Sequence, residues 1–177
     1  PVASGALAGA AALALGFGAA HGITLAFGAR KGRLLTPARI MGPKNSNDVP
    51  WRPYHYSTAL FSDDGGQSWA IGDVVPLGPG IRGINESAIV ELADGTLYLT
   101  GRTNAGPPYR CESTSPDGGT WSRSAFDGSI NANMSAVKTS IVRYSSEATD
   151  GANRLLYSAP NTGTRSGMTV WLSEDEA

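Results

Sequence analysis

The chain has 177 residues, and its 14 Lys and Arg residues nearly balance 15 Asp and Glu residues, which gives a net charge of −1. This balance argues against a nucleic-acid partner, because nucleic-acid-binding domains usually carry a basic excess. The 23 glycines and 11 prolines are well above average usage and argue against a helical bundle, because both residues weaken helix interiors.

The sequence has one cysteine, Cys111, and two histidines, His21 and His55. A single cysteine excludes an internal disulfide and a cysteine-rich zinc site. We therefore expect Cys111 to be a small buried apolar residue and both histidines to be structural. We expect neither a metal ion nor an organic cofactor.

The first segment, residues 1–20, is rich in Ala and Gly and contains an apolar run from Ala6 to Ala20. A secretory signal peptide would have basic residues before its apolar core, and none precede this run. A membrane span needs about 20 apolar residues, preferably with fewer glycines. We interpret residues 1–20 as a lead-in that includes a buried strand, with the remnant of a targeting segment as the alternative, and residues 21–177 as one domain.

From residue 21 onward, short alternating apolar runs separated by turn residues predict β-strands. No amphipathic helix is predicted there, so the expected fold class is all-β. Asp94 and Gly95 lie between two such runs and form a strong hairpin signal. The predicted strands are residues 23–27, 33–40, 55–61, 69–71, 87–92, 96–100, 140–144, 154–158 and 168–172.

One turn pattern, S-x-D-x-G-x-x-W, occurs twice and begins a third time at Ser173, at intervals of roughly 55 residues, close to the period of four-stranded propeller blades. In such a turn the Ser and Asp side chains satisfy backbone donors, and the Gly allows a positive φ. The Trp is expected to pack the turn against its sheet. The first copy has Ser62, Asp64, Gly66 and Trp69, and the second, one residue shorter, has Ser115, Asp117, Gly119 and Trp121.

This pattern resembles the Asp-box (BNR repeat) of sialidases and other β-propellers, where it is a structural turn on the outer rim and not a catalytic element. The resemblance implies a β-propeller of four-stranded antiparallel blades with Asp-box turns. The length accommodates about three blades of an expected six. Because closed propellers use four to eight blades, we expect the chain to be part of a longer propeller.

A second segment, residues 80–102, resembles a sialidase sequence in which Glu, preceded by Asn or Asp, stands before V-V-E-L-x-D-G-x-L-x-x-x-x-R. Here Asn85 and Glu86 precede Ile89-Val90-Glu91-Leu92, and Arg102 ends the run. The similarity extends upstream over residues 21–35 and downstream over residues 164–170. The chain thus resembles the central blades of an exo-α-sialidase (neuraminidase), which removes terminal sialic acid from glycoproteins, oligosaccharides or glycolipids such as gangliosides.

This resemblance implies a retaining glycosidase with a tyrosine nucleophile, since the substrate carboxylate would repel an anionic nucleophile. Glu86 matches the general base that acts on this tyrosine. Arg102 and Arg165 match the second and third of three arginines that bind the substrate carboxylate, a task suited to the guanidinium fork. The first arginine, the acid/base aspartate and the tyrosine are not identified in the sequence, so we expect the isolated chain to be inactive.

Other interpretations stay open at this point. Glu86 would otherwise be a solvated loop acid, Arg102 a surface ion-pair partner and Arg165 a loop residue. A non-catalytic Asp-box propeller, acting as a carbohydrate-binding or interaction scaffold, explains the repeats but not the positions of Glu86 and Arg102. A trans-sialidase would share the site. The expected partner is a sialylated glycan, and the family resemblance is compatible with a secreted, lysosomal or membrane-associated protein.

Overall fold

The computed structural model of the protein describes residues 14–17, 20–41, 55–103, 110–128 and 136–176. Within these ranges the chain forms twelve β-strands and one single-turn helix, so the all-β prediction is confirmed. The elements are β1 (Ala14–Phe17), β2 (Ile23–Thr24), β3 (Leu34–Met41), β4 (His55–Ser62), β5 (Ala70–Ile71), β6 (Ile84–Glu91), β7 (Leu97–Thr103), β8 (Arg110–Ser115), β9 (Ala125–Phe126), β10 (Ser140–Ser145), α1 (Glu147–Asp150), β11 (Arg154–Pro160) and β12 (Met168–Ser173).

The strands form three antiparallel sheets. In the first sheet, β3 pairs with β4 and β4 with β5, while β1 and β2 pair with successive parts of β3. The second sheet has the order β6-β7-β8-β9, and the third has the order β10-β11-β12. Each sheet is therefore built from strands that are close together along the chain, as expected for tight connections between antiparallel strands. β1 lies within the segment 1–20 that the sequence analysis set apart as a lead-in.

The alternating apolar runs correspond to β2–β7 and β10–β12. The hairpin at Asp94 and Gly95 is confirmed: it joins β6 to β7, and Gly95 has a φ of 87°. β8 and β9 were not predicted, because Arg110–Ser115 is mostly polar and shows no apolar alternation. α1 has no buried residue, so it leaves the fold class unchanged.

The register of each sheet places a serine of the repeated pattern at one end. Ser62 pairs with Leu34, Ser115 with Leu97, and Ser173 with Leu155. We call this the serine end, and the opposite end the far end. At the far end, the cross-strand pairs are Met41 with His55, Ile84 with Thr103, and Pro160 with Met168.

The serine ends of the three sheets meet. The carboxylate of Glu91, at the end of β6, accepts hydrogen bonds from the backbone N–H groups of Ala26 (2.6 Å) and Phe27 (3.0 Å) in the first sheet's loop. Arg143 of β10 donates to the backbone oxygen of Glu91 and pairs with Glu176. These contacts align the sheets, so their far ends also lie on one side of the molecule.

Two apolar layers lie between the sheets. β6 contributes to both, because Ile89 belongs to the first layer while Ala88 and Val90 belong to the second. This two-sided burial explains the three consecutive apolar residues Ala88, Ile89 and Val90 in β6. Other buried members of the first layer are Leu25, Leu35, Ala59, Val75, Ile81, Ile84, Leu97, Leu99, Cys111 and Trp121, and of the second Ile141, Leu155, Tyr157 and Ala159.

In the first serine turn, the side chains satisfy backbone donors as the pattern predicts. The Ser62 hydroxyl accepts from the backbone N–H of Gly66 at 2.9 Å and donates to Asp64 Oδ1 at 2.7 Å. The Asp64 carboxylate accepts from the backbone and side chain of Ser68. Gly66 has a φ of 92°. The Trp69 indole N–H donates to the backbone oxygen of Gly66 at 3.1 Å, and the side chain is 39% exposed, so Trp69 lies against the turn with part of its ring in solvent.

The second serine turn is tighter. Ser115 Oγ accepts from the backbone N–H of Gly118, three residues on, at 2.7 Å. Asp117 Oδ1 accepts from the N–H of Gly119 at 2.8 Å. The positive φ lies at Gly118, 79°, and not at the expected Gly119, because the turn has one residue fewer. Trp121 is buried in the first apolar layer.

Candidate active site

Glu86 of β6 and Arg102 of β7 form an ion pair at the far end of the second sheet. Arg102 Nη1 lies 2.9 Å from Glu86 Oε2. The side chains are 19% exposed for Arg102 and 28% exposed for Glu86, so both can reach a molecule bound at this end while partly shielded from water. Two residues predicted for the site from sequence are therefore in direct contact.

A β-bulge produces this contact. Ile84 pairs with Thr103 and Ser87 pairs with Gly101, so two residues of β6, Asn85 and Glu86, lie opposite the single residue Arg102 of β7. A bulge breaks the strict alternation of side chains and redirects one of them. The change in register thus places the Glu86 carboxylate against the Arg102 guanidinium.

Arg102 keeps unused donors. Its Nη1 is bonded to Glu86, but its Nε is buried and has no hydrogen-bond partner in the part of the chain that the structure describes. A guanidinium has five N–H donors in a fixed fork that matches a carboxylate. Arg102 can therefore hold Glu86 and still bind an anionic ligand group.

The bulge is also held from the first sheet. Arg39 Nη1 donates to Asn85 Oδ1 at 2.6 Å, and Ser57 Oγ donates to the backbone oxygen of Asn85 at 3.2 Å. Sequence reasoning assigned no role to Asn85 and did not consider Arg39 or Ser57. No signal in the local sequence marks Arg39, because its contact with Asn85 joins residues that are 46 positions apart.

Arg165 lies in the connection between β11 and β12, also at the far end. It is exposed, and it has no hydrogen bond or ion pair with any residue that the structure describes. The fold thus brings Arg165 to the same side as Glu86 and Arg102 but not into contact with them.

The other reactive groups in the described part of the chain do not form a second centre. Burial raises the pKa of the Cys111 thiol to about 12, so this thiol is protonated at neutral pH. It is completely buried, as expected from the sequence.

Among the described residues, no group of three or more His, Cys, Asp or Glu side chains is arranged to hold a metal ion. No helix within these ranges is long and apolar enough to cross a membrane.

Comparison with known proteins decides the family. The BNR repeat-like domain family matches residues 6–177. The chain belongs to this family. Its curated relatives include the sialidase of Vibrio cholerae, 31% identical over 188 residues, which cover 90% of this chain and 23% of the relative. The sialidase of Micromonospora viridifaciens is 31% identical over 166 residues, covering 88% of this chain and 23% of the relative.

The chain is also similar to solved structures. A leech intramolecular trans-sialidase in complex with 2,7-anhydro-Neu5Ac superimposes with a TM-score of 0.67 and 28% identity. The alignment covers 89% of this chain and 21% of the leech protein. The chain therefore spans about a quarter or less of the length of each of these three proteins.

Proposed function

We propose that the protein to which these residues belong is an exo-α-sialidase, a retaining glycosidase that removes terminal sialic acid from glycoproteins, glycolipids or oligosaccharides. The observation that carries the proposal is the ion pair between Glu86 and Arg102 at the far end of the sheets. Both residues stand where the sequence resembles the sialidase base and a carboxylate-binding arginine. The 31% identity to two bacterial sialidases supports this assignment.

In this proposal Arg102 binds the carboxylate of sialic acid. Its guanidinium is permanently charged, so it remains a cation at every pH at which a glycosidase works. The guanidinium carries five N–H donors, so the bond from Nη1 to Glu86 leaves others for a ligand. Arg165 approaches the same substrate carboxylate from the β11–β12 connection, where its exposed side chain is free to adjust to the ligand.

Glu86 acts as the general base towards a tyrosine nucleophile. A phenol is neutral until it loses its proton, so it can approach a sugar whose anomeric carbon carries a carboxylate. Glu86 removes that proton as the tyrosine attacks. Neither Tyr144 of β10 nor Tyr157 of β11 is assigned this role. The acid/base aspartate and the first arginine are likewise not assigned among residues 1–177, so we expect the isolated chain to be inactive.

We further propose that the three sheets are blades of a six-bladed β-propeller, with residues 21–177 as the partial propeller domain and residues 1–20 as a lead-in that adds β1 to the first sheet. The turns at Ser62 and Ser115 are then Asp-boxes, and Ser173 begins a third. Their equivalent positions support this assignment, because each of the first two connects the last two strands of its sheet. Both lie at the end away from Glu86, as expected for structural turns.

The test uses the full-length protein and a fluorogenic sialoside. We expect release of the fluorophore, and a loss of about 10²- to 10⁴-fold in kcat for Glu86→Gln, the usual range for a missing general base. Glu147→Gln is the matched control, because Glu147 is exposed on α1. Unchanged turnover in Glu86→Gln would contradict the assignment.

Product analysis separates the alternatives. Free sialic acid indicates hydrolysis, while transfer to added lactose indicates a trans-sialidase. A 2,7-anhydro product, the ligand in the leech complex, would indicate intramolecular transfer. Binding of the sialoside with no cleavage by the unsubstituted protein would favour the non-catalytic scaffold instead.

A further inference from the structure

Asn85 is the residue at which the first sheet contacts the candidate site. Arg39 Nη1 donates to its side-chain oxygen at 2.6 Å, and Ser57 Oγ donates to its backbone oxygen at 3.2 Å. Ser57 Oγ also lies within hydrogen-bond distance of Ser87 Oγ, at 3.1 Å. Arg39 and Ser57 are direct cross-strand partners in β3 and β4. All three contacts therefore start from one point in the first sheet.

These contacts hold a segment, Asn85 and Glu86, that forms no strand pair with β7. Between the pairs Ile84–Thr103 and Ser87–Gly101, neither Asn85 nor Glu86 has a paired residue in β7. The ladder is locally disrupted at a bulge, so the backbone there is fixed by other contacts. The position of Glu86 consequently depends on what holds its neighbour Asn85.

Arg39 is not placed for maximal stability. Its side chain is partly buried, and its Nε is buried with no hydrogen-bond partner among the described residues. A buried donor without a partner is costly, and one that persists calls for an explanation. The one hydrogen bond that the guanidinium makes within the described residues goes to the residue directly before Glu86.

We propose that Arg39 is a positioning residue: by holding Asn85, it fixes the bulge in the arrangement that brings the Glu86 carboxylate to Arg102. The catalytic consequence rests on the proposed function, in which Glu86 is the general base. The structural consequence does not. A catalytic group displaced by about 1 Å can lose about 10²-fold in rate, and this loss falls on kcat because Arg39 acts through Asn85 and not on the substrate.

The kinetic test compares Arg39→Met, Asn85→Ala and the double variant in the full-length protein. We expect each single variant to lose about 10- to 100-fold in kcat, with KM changed by less than about twofold. The double variant should be no slower than the slower single variant, because both substitutions break the same contact. Arg39→Lys should recover part of kcat. Arg30→Met, at an exposed position, is the control for the lost charge.

Two kinetic outcomes would overturn the proposal. A rise in KM with unchanged kcat would mean that Arg39 binds the substrate itself. Fully additive losses in the double variant would mean that Arg39 does not act through Asn85. If Arg39→Met fails to fold, Asn85→Ala breaks the same hydrogen bond while leaving the arginine in place.

A crystal structure of the Arg39→Met variant tests the inference without an enzymatic assay. We expect the 2.9 Å contact between Glu86 and Arg102 to be lost in an otherwise unchanged fold. An intact contact would overturn the positioning role whatever the kinetics show. If the unsubstituted protein releases no sialic acid but the variant still displaces Glu86, the proposed function fails while the positioning role stands.

Discussion

Arg33 and Asp63 form a two-point ion pair at the serine end of the first sheet, with Nε–Oδ1 and Nη2–Oδ2 distances that are both 2.7 Å. The third guanidinium nitrogen, Nη1, donates to the backbone oxygen of Asp117 at 2.6 Å. The guanidinium carbon also lies 4.1 Å from the centre of the Phe61 ring. One buried arginine thus joins the first serine turn to the second, at the end of the sheets away from Glu86.

We expect Arg33→Lys to destabilise the protein by about 1–3 kcal/mol, because a lysine ammonium cannot form the fork to Asp63 and also reach Asp117. Urea unfolding of the full-length protein measures this change. Arg30→Lys is the control, since Arg30 is exposed. Equal stability of the two variants would show that the fork contributes nothing. The kcat of Arg33→Lys should stay unchanged, because Arg33 lies far from the candidate site.

The Asp64 turn should make stability depend on pH under acidic conditions. Hydrogen bonds from the Ser68 side chain, the Ser68 backbone and the Ser62 hydroxyl lower the pKa of Asp64 from 3.8 to about 2. A carboxyl whose pKa is lower in the folded state stabilises the fold above its ordinary pKa and loses that effect as the pH falls towards the lowered value.

We therefore expect Asp64→Asn to melt below the unsubstituted protein at pH 5 and the difference to shrink between pH 4 and pH 2. Thermal unfolding at several pH values measures this difference. Asp73→Asn is the matched control, because Asp73 is exposed and outside the turn. A melting difference that is constant over this pH range would contradict the stated cause.

Gly78 lies against the backbone of Ser124, the residue directly before β9. A Cβ atom at Gly78 would overlap the carbonyl oxygen of Ser124, and the Gly78 N–H donates to Ser124 Oγ at 3.0 Å. We expect Gly78→Ala to cost about 1–3 kcal/mol of unfolding free energy, as overpacking usually does. Gly128→Ala is the control, because nothing lies within 4 Å of its added Cβ. Equal stability of the two variants would refute the close contact.

Arg102→Lys should weaken substrate binding in the full-length protein. We expect KM to rise by about 10- to 100-fold, which corresponds to a lost charge-assisted hydrogen-bond fork. Steady-state kinetics with the fluorogenic sialoside measures the change, and Arg123→Lys at an exposed position is the control. Unchanged KM and kcat would mean that Arg102 does not contact the substrate carboxylate.

Local pattern predicted much of the fold. Alternating apolar residues identified most strands, because a strand with one face against a core shows period-two burial. Asp94 and Gly95 identified their hairpin through backbone preference alone. β8 escaped detection because its residues are mostly polar. Arg110, for example, is buried, and its guanidinium donates hydrogen bonds to the Thr100 hydroxyl and to the backbone oxygen of Val137.

The residues of the candidate site also divide into those that a sequence motif identifies and those that only the fold reveals. Glu86 and Arg102 could be selected from sequence, because a sialidase-like motif surrounds them. Their contact depends on the bulge at Asn85. A one-residue shift in the pairing of two strands cannot be recognised from the alternation of apolar and polar residues in either strand. Arg39 could not be selected from sequence, since it lies 46 residues before Asn85 in the chain. The two residues come into contact only because the first sheet packs against the second.

The sequence by itself determined the all-β class, the positions of most strands and turns, and the membership in a BNR family that includes sialidases. These properties follow from local alternation, turn preferences and motif spacing, which the chain carries without folding. Tertiary structure alone decided that the three far ends share one side, that β6 is buried on both faces, and that Arg39 holds the residue next to Glu86. Those relationships arise from packing between sheets, which joins residues that are distant in the chain.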